Sequence, residues 1–175
     1  MKNNIWKNIA DGDKEAYAEL YELFFKKLYA YGRKFTTDKE VIEDSIQDVF
    51  YEIWDKRERI KTMDTPDGYF LSAFRYILLK RIKRNTTRLG EMQFSDELEF
   101  SFEHLKIALE TQQELQNKLS FALTILTPRQ REAIYLRFYM GLAYEEVARV
   151  LNITTKATYK IISRSLLSLR DQWPV

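Results

Sequence analysis

Apolar residues recur at intervals of three and four along almost the whole of this 175-residue chain, and no segment shows convincing alternation. Tyr17, Leu20, Tyr21, Phe24 and Leu28 follow the rule, and so do Ile42, Ile46, Val49, Ile53 and Trp54. That period places the apolar side chains on one face of a helix, where a strand would need every second residue. Only five glycines and three prolines interrupt it, so the breaks stand out: Asp11-Gly12-Asp13, Thr36-Thr37-Asp38, Thr65-Pro66-Asp67, Arg88-Leu89-Gly90, Thr127-Pro128 and the region of Gly141. Two of them start helices with a hydroxyl at the cap and proline at the first helical position, where its missing N–H costs nothing. After Thr127, Gln130 completes a capping box. The pattern predicts an all-α protein.

With 45% hydrophobic and 14% aromatic residues, such a chain can bury one medium core or two small ones. The polar, acidic and poorly periodic stretch from Thr86 to Phe102 points to two, with residues 1–85 as one helical domain, 86–114 as a flexible acidic linker and 115–175 as a second domain. The net charge of +2 hides a division of sign. Arg75, Lys80, Arg81, Lys83, Arg84 and Arg88 form a run without an acid among them. From Val147 onward five basic residues face the single acid Asp171, and between these patches lie Glu91, Asp96, Glu97, Glu99 and Glu103. There is no cysteine, no long apolar start such as a signal peptide has, and no stretch of the ~18 apolar residues a bilayer crossing requires. A cytoplasmic protein without membrane insertion is expected.

The most specific local pattern is near the C-terminus. Residues 144–151 read as a short amphipathic helix, Asn152-Ile153-Thr154 as a turn, and Thr155 to Arg170 as a second helix, which is helix-turn-helix spacing. Asn152 suits the left-handed conformation at the turn. Val147, Ala148, Leu151, Ile153, Ile162, Leu166 and Leu169 are the expected shared core, leaving Lys156, Tyr159, Lys160, Ser163 and Arg164 on a face that could reach base edges and phosphates. The competing reading is a helical hairpin with a solvated basic face. Against it, Lys160 and Arg164 stand four apart with no acid beside them.

Two further helices carry candidate interfaces. The one after Thr65 interleaves Tyr69, Phe70, Phe74 and Tyr76 with Arg75, Lys80, Arg81, Lys83 and Arg84, a mixture suited to stacking unpaired bases and holding their backbone. Phe70, Phe74, Ile77 and Leu78 also lie at helical spacing, so core packing competes with stacking. The helix Glu43 to Trp54 exposes Asp44, Gln47, Asp48 and Tyr51 beside apolar Ile46, Val49, Phe50 and Trp54. Asp44 and Asp48 repel mildly at i, i+4, a situation that a basic or polar partner helix would relieve. Catalysis finds little support: the single histidine, His104, sits in the acidic connector, with no phosphate loop or nucleophile elbow. Neither a cofactor nor a metal is expected.

Together these motifs resemble the extracytoplasmic-function (ECF) group of bacterial RNA polymerase sigma factors of the sigma-70 family, in particular those common in Bacteroidetes-like bacteria. Asp13 to Arg84 and Leu115 to Arg170 carry the resemblance; Glu43 to Trp54 is similar to the family's polymerase-binding helix, and Leu126 to Glu132 to the usual entry into the last domain. The resemblance implies that Gln47 and Asp48, flanked by Asp44 and Glu52, meet the clamp helices of core RNA polymerase. It implies that the loop from Lys61 to Asp67 and the following helix, with Tyr69, Arg75, Lys80, Arg81 and Arg84, capture flipped bases of the melted promoter. Thr155, Lys156, Tyr159, Lys160, Ser163 and Arg164 would read duplex promoter DNA further upstream. An anti-sigma factor is a further partner of the family. The chain departs from the family pattern at Tyr76, Lys80, Thr158 and Ile161. A stand-alone helix-turn-helix regulator is the alternative, predicting duplex binding without polymerase; a protein-binding helical adaptor is a third class.

Overall fold

A computed structural model describes residues 2–63, 66–88 and 123–171, and these are helical or in short turns, with no strand among them. The chain divides into two compact units, residues 1–92 and 93–175. The acidic connector, His104 and the Thr65 cap lie outside the described residues.

The N-terminal unit contains α1 (Lys2–Ala10), α2 (Lys14–Gly32), α3 (Lys39–Asp55), α4 (Arg57–Ile60) and α5 (Pro66–Arg88). Local chemistry sets the starts. Asp13 accepts from the amides of Glu15 and Ala16 at the head of α2, after Gly12 has turned the chain with φ +88°. Asp38 accepts from the Val41 amide at the head of α3. The α5 helix runs through Arg88, three residues into the stretch read from sequence as linker.

Helix α3 packs along α5, with α2 against both and α1 across α2. The center of the core is aromatic. Phe70 of α5 meets Trp6, Phe24 and Phe50 at ring-centroid distances of 5.6, 5.2 and 5.1 Å, all edge-on, the favoured geometry for ring quadrupoles. Trp6 Nε1 donates to Asp67 Oδ1 at 2.6 Å, tying α1 to the first turn of α5. Ile42, Ile46, Val49 and Ile53 are buried as their spacing predicts.

The C-terminal unit contains α6 (Pro128–Ile134), a π-helical turn (Tyr135–Tyr139), α7 (Tyr144–Val150) and α8 (Thr155–Asp171). Thr127 and Gln130 form the expected capping box: the Gln130 amide donates to Thr127 Oγ1, and the Thr127 amide to Gln130 Oε1. The widened turn closes with Met140 N–H on Tyr135 O, and Gly141 at φ +74° turns the chain so that Leu142 N–H reaches Leu136 O. Asn152 occupies the left-handed region at φ +51°, as the turn requires.

One sequence expectation is corrected here. Val147, Ala148, Leu151 and Ile162 are buried, but Ile153 and Leu169 are only partly covered and Leu166 is 43% exposed. Instead the inward stripe of α8 is Thr158, Ile162 and Ser165, spaced i, i+4, i+7. Small side chains suit a helix that packs against both α6 and α7. Their hydroxyls are satisfied within the helix, Thr158 donating to Thr154 O at 3.2 Å and Ser165 to Ile161 O at 2.8 Å.

Candidate nucleic-acid interface

In the N-terminal unit, α3 presents Asp44, Gln47, Asp48 and Tyr51 to solvent, Tyr51 with 72% of its surface exposed. Their exposure follows from register: Val41, Ile42, Ser45, Ile46, Val49, Phe50 and Ile53 take the inner face, leaving these four the outer one. Beside them opens a groove of about 480 Å³ lined by Lys14, Tyr17, Tyr21, Gln47, Phe50, Tyr51 and Trp54. Its wall is built from ring contacts, Tyr17 to Trp54 at 4.9 Å and Tyr21 to Phe50 at 4.8 Å. Burial raises the Tyr17 hydroxyl pKa, and Lys14 stands in the lining beside it.

The repulsion between Asp44 and Asp48 is relieved within the chain. Arg81 of α5 spans both, its Nη1 at 2.9 Å from Asp44 Oδ2 and its Nη2 on Asp48 Oδ2. The planar guanidinium fork suits this two-point contact better than an ammonium would. Glu52, one turn on, pairs with Lys56 at 2.6 Å, and this bond raises the Lys56 pKa. Thus the residues predicted to contact polymerase and one predicted to contact DNA meet on a single surface, which the sequence did not reveal.

On α5, Phe70 and Phe74 are fully buried and belong to the core, so the stacking reading fails for them. Tyr69 and Arg75 are partly covered; Tyr76, Lys80, Lys83 and Arg84 are exposed. Lys80 Nζ sits 5.8 Å from the center of the Tyr76 ring, a cation–π contact that keeps aromatic surface and positive charge together. Lys61, on the loop before α5, is exposed and pairs with Asp11 at 2.9 Å, which lowers the Asp11 pKa and raises its own.

In the C-terminal unit, Lys156, Tyr159, Lys160, Ser163 and Arg164 are exposed along α8, and Thr155 is partly covered at its start. The face read from sequence is therefore open to a partner. Two residues that sequence reading did not single out join it. Tyr144, first in α7, stacks on Tyr159 with centroids 4.0 Å apart and planes within 14°. Arg137, in the π turn, lies with its guanidinium carbon 4.9 Å from the Tyr144 ring center. The tyrosines are fifteen residues apart with a turn between them, so helical spacing carries no signal of their meeting.

Among the described residues no cluster of three His, Cys, Asp or Glu could hold a metal ion, and no helix is long and apolar enough to cross a membrane.

Residues 122–171, covering the capping box, π turn and helix-turn-helix, match the family Sigma-70, region 4. Over 173 residues the chain is 24% identical to the ECF RNA polymerase sigma factor SigK of Mycobacterium tuberculosis (strain ATCC 25618 / H37Rv), covering 94% of this chain and 89% of the relative. It is 24% identical over 161 residues to the ECF RNA polymerase sigma factor SigX of Bacillus subtilis (strain 168), covering 90% and 83%. Two solved structures share its fold: CnrH in complex with the cytosolic domain of CnrY, with TM-score 0.60, 18% identity and coverage of 95% and 93%, and the sigma factor RpoE in complex with the anti-sigma factor NepR from Bartonella quintana, with TM-score 0.59, 18% identity and coverage of 89% and 94%. A region 4 match over the helix-turn-helix is joined to likeness, along nearly the full length of the chain, to RNA polymerase sigma factors of the ECF type.

Proposed function

We propose that this protein docks on core RNA polymerase through α3, opens promoter DNA with α5 and reads duplex DNA upstream with α8, acting in the cytoplasm. The observation that carries the reading is α8 itself. One stripe of that helix, Thr158, Ile162 and Ser165, is buried against its own domain, while Lys156, Tyr159, Lys160, Ser163 and Arg164 stand open along another. A second helix so arranged can enter a major groove, with its bases neutralising phosphates and its N-terminal half near base edges.

Asp44, Gln47, Asp48 and Glu52 are the residues for the polymerase clamp, and the aromatic groove beside Gln47 enlarges that surface. Tyr69, Arg75, Lys80 and Arg84, with Lys61 before them, serve the melted strand. Arg81 stands apart: its fork is engaged by Asp44 and Asp48, so its first role is to hold those carboxylates for polymerase. All the free energy for opening DNA comes from binding. Linking two modest readers through polymerase raises the effective concentration of each for its own promoter element. An anti-sigma factor is the expected further partner, in keeping with the complex of RpoE with the anti-sigma factor NepR.

The test is transcription in vitro with purified core polymerase and a genomic fragment library, mapping new 5′ ends with and without the protein. New starts sharing two upstream elements are expected. A protein that neither binds core polymerase nor creates a start would sink the reading in favour of a stand-alone duplex-binding regulator.

A further inference from the structure

We infer that Tyr144, held by Arg137, fixes Tyr159 as the residue that selects a thymine in the upstream duplex element, through apolar contact with the 5-methyl group. The inference rests on the proposed reading of α8 as the duplex reader.

Tyr159 is half exposed, at 50%, and projects among Lys156, Lys160 and Ser163 on the open face of α8. Its ring is not loose. Tyr144 stacks on it at 4.0 Å with planes 14° apart. Tyr144 is anchored in turn. It opens α7, whose head is closed by the Ala143 amide on Glu146 Oε2 at 2.7 Å, and the Arg137 guanidinium lies against its ring at 4.9 Å. Arg137 is itself pinned, its Nη1 donating to Leu142 O at 2.9 Å. The chain of contacts runs from the π turn through α7 to the reading helix, and all of it lies within one unit.

Stacking on Tyr144 changes what Tyr159 can do. An exposed side chain must be ordered on binding, whereas a stacked ring has already lost that freedom and meets DNA with less entropic cost. Neighbouring Lys156 and Lys160 are flexible cations suited to phosphates and guanine acceptors. A phenol cannot make the two-point contact by which arginine or lysine reads guanine. With a ring face covered by Tyr144, the exposed rim of Tyr159 is a fixed apolar edge. In the major groove, the one apolar feature that tells base pairs apart is the thymine 5-methyl group. Tyr159 is thus the specificity-determining residue, while Tyr144 and Arg137 position it.

Promoters are selected by the reconstituted holoenzyme from a library randomised across the upstream element, using the wild type, Tyr159→Ala, Tyr159→Phe, Tyr144→Ala and Tyr144→Phe. Wild-type initiation from the library comes first; if it starts nowhere, the sigma-factor reading falls and this inference with it. Given initiation, the wild type should prefer thymine at one position, and deoxyuridine placed there should lower promoter use about fourfold, the worth of one buried methyl. Tyr159→Ala should lose that preference and be indifferent to deoxyuridine, with the other positions unchanged. Tyr159→Phe, which keeps the ring, should retain it. Tyr144→Ala should flatten the preference at that same position while Tyr144→Phe restores it, a pattern that general loss of folding cannot produce. The inference is overturned if Tyr159→Ala weakens all sequences equally, if Tyr159→Phe behaves as Ala, or if deoxyuridine has no effect on the wild type.

Discussion

At position 32 a hydrogen atom is all the packing allows. A Cβ built on Gly32 would stand 2.8 Å from Ile42 Cγ2, so the end of α2 approaches α3 closely only because no side chain intervenes. Gly32→Ala gains up to ~1 kcal/mol of helix propensity. Overpacking against a buried isoleucine costs about 1–3 kcal/mol, so net destabilisation is expected in urea unfolding followed by tryptophan fluorescence. An unchanged midpoint would mean the two helices part without cost. Lys34, just beyond, is 3% exposed, and burial lowers its pKa to about 8. The unfolded chain keeps that proton up to about pH 10.5. Between those values the unfolded state binds more protons, so stability should rise as pH rises from 8 toward 10. Raised by burial, the Tyr17 pKa opposes this only above pH 10. Lys34→Met should abolish the rise in urea midpoints measured at pH 7.5 and 9.5, buffers chosen on either side of about pH 8.

At the scale of elements, the informative contact is between α3 and α5. Arg81 retains 22% of its side-chain exposure and its two carboxylate partners 54% each, so water screens the link. Removing a pair this open should cost no more than about 1 kcal/mol. Its value lies in placing charge. Asp48→Asn removes one carboxylate without adding bulk and is expected to weaken core polymerase binding about threefold to tenfold while leaving unfolding within about 1 kcal/mol of the wild type. Asp48→Arg would go further, because it sets a second cation beside Arg81. Fluorescence anisotropy of labelled protein titrated with core polymerase measures both. Equal affinity for wild type and Asp48→Asn would remove α3 from the docking surface. The same contact explains why α5 could be read only in part: its unbroken basic run gave no hint that Arg81 answers acids 33 and 37 residues earlier.

Across the whole molecule, the proposed function gives the two units separate tasks, so their failures should be separable too. Lys160→Glu reverses one charge on α8, far in sequence from α3, and should leave polymerase affinity unchanged. Promoter use should fall, and the slope of log binding against log salt should shrink by roughly one to two, because one phosphate contact is lost and a repulsive one added. If Lys160→Glu impaired polymerase binding and spared promoter use, the assignment of tasks to the two units would be reversed.

Much of this organisation was legible in the chain because it is local. A period of 3.6 residues marks the helices, the breaks at Asp11-Gly12-Asp13 and Thr36-Thr37-Asp38 separate them, Thr127 and Gln130 form a capping box, and Asn152 marks the turn of the helix-turn-helix, each acting over a few residues. Amphipathic spacing tells which side of α3 faces inward, and the exposed row Asp44, Gln47 and Asp48 follows from it. Spacing does not say how far a helix is rotated about its own axis against its neighbours, nor which partner it meets. Those are decided by packing across the domain. Packing rotated α8 so that Thr158 and Ser165 went inside and Leu166 out, took Phe70 and Phe74 into the core, brought Arg81 onto α3, and laid Tyr144 against Tyr159.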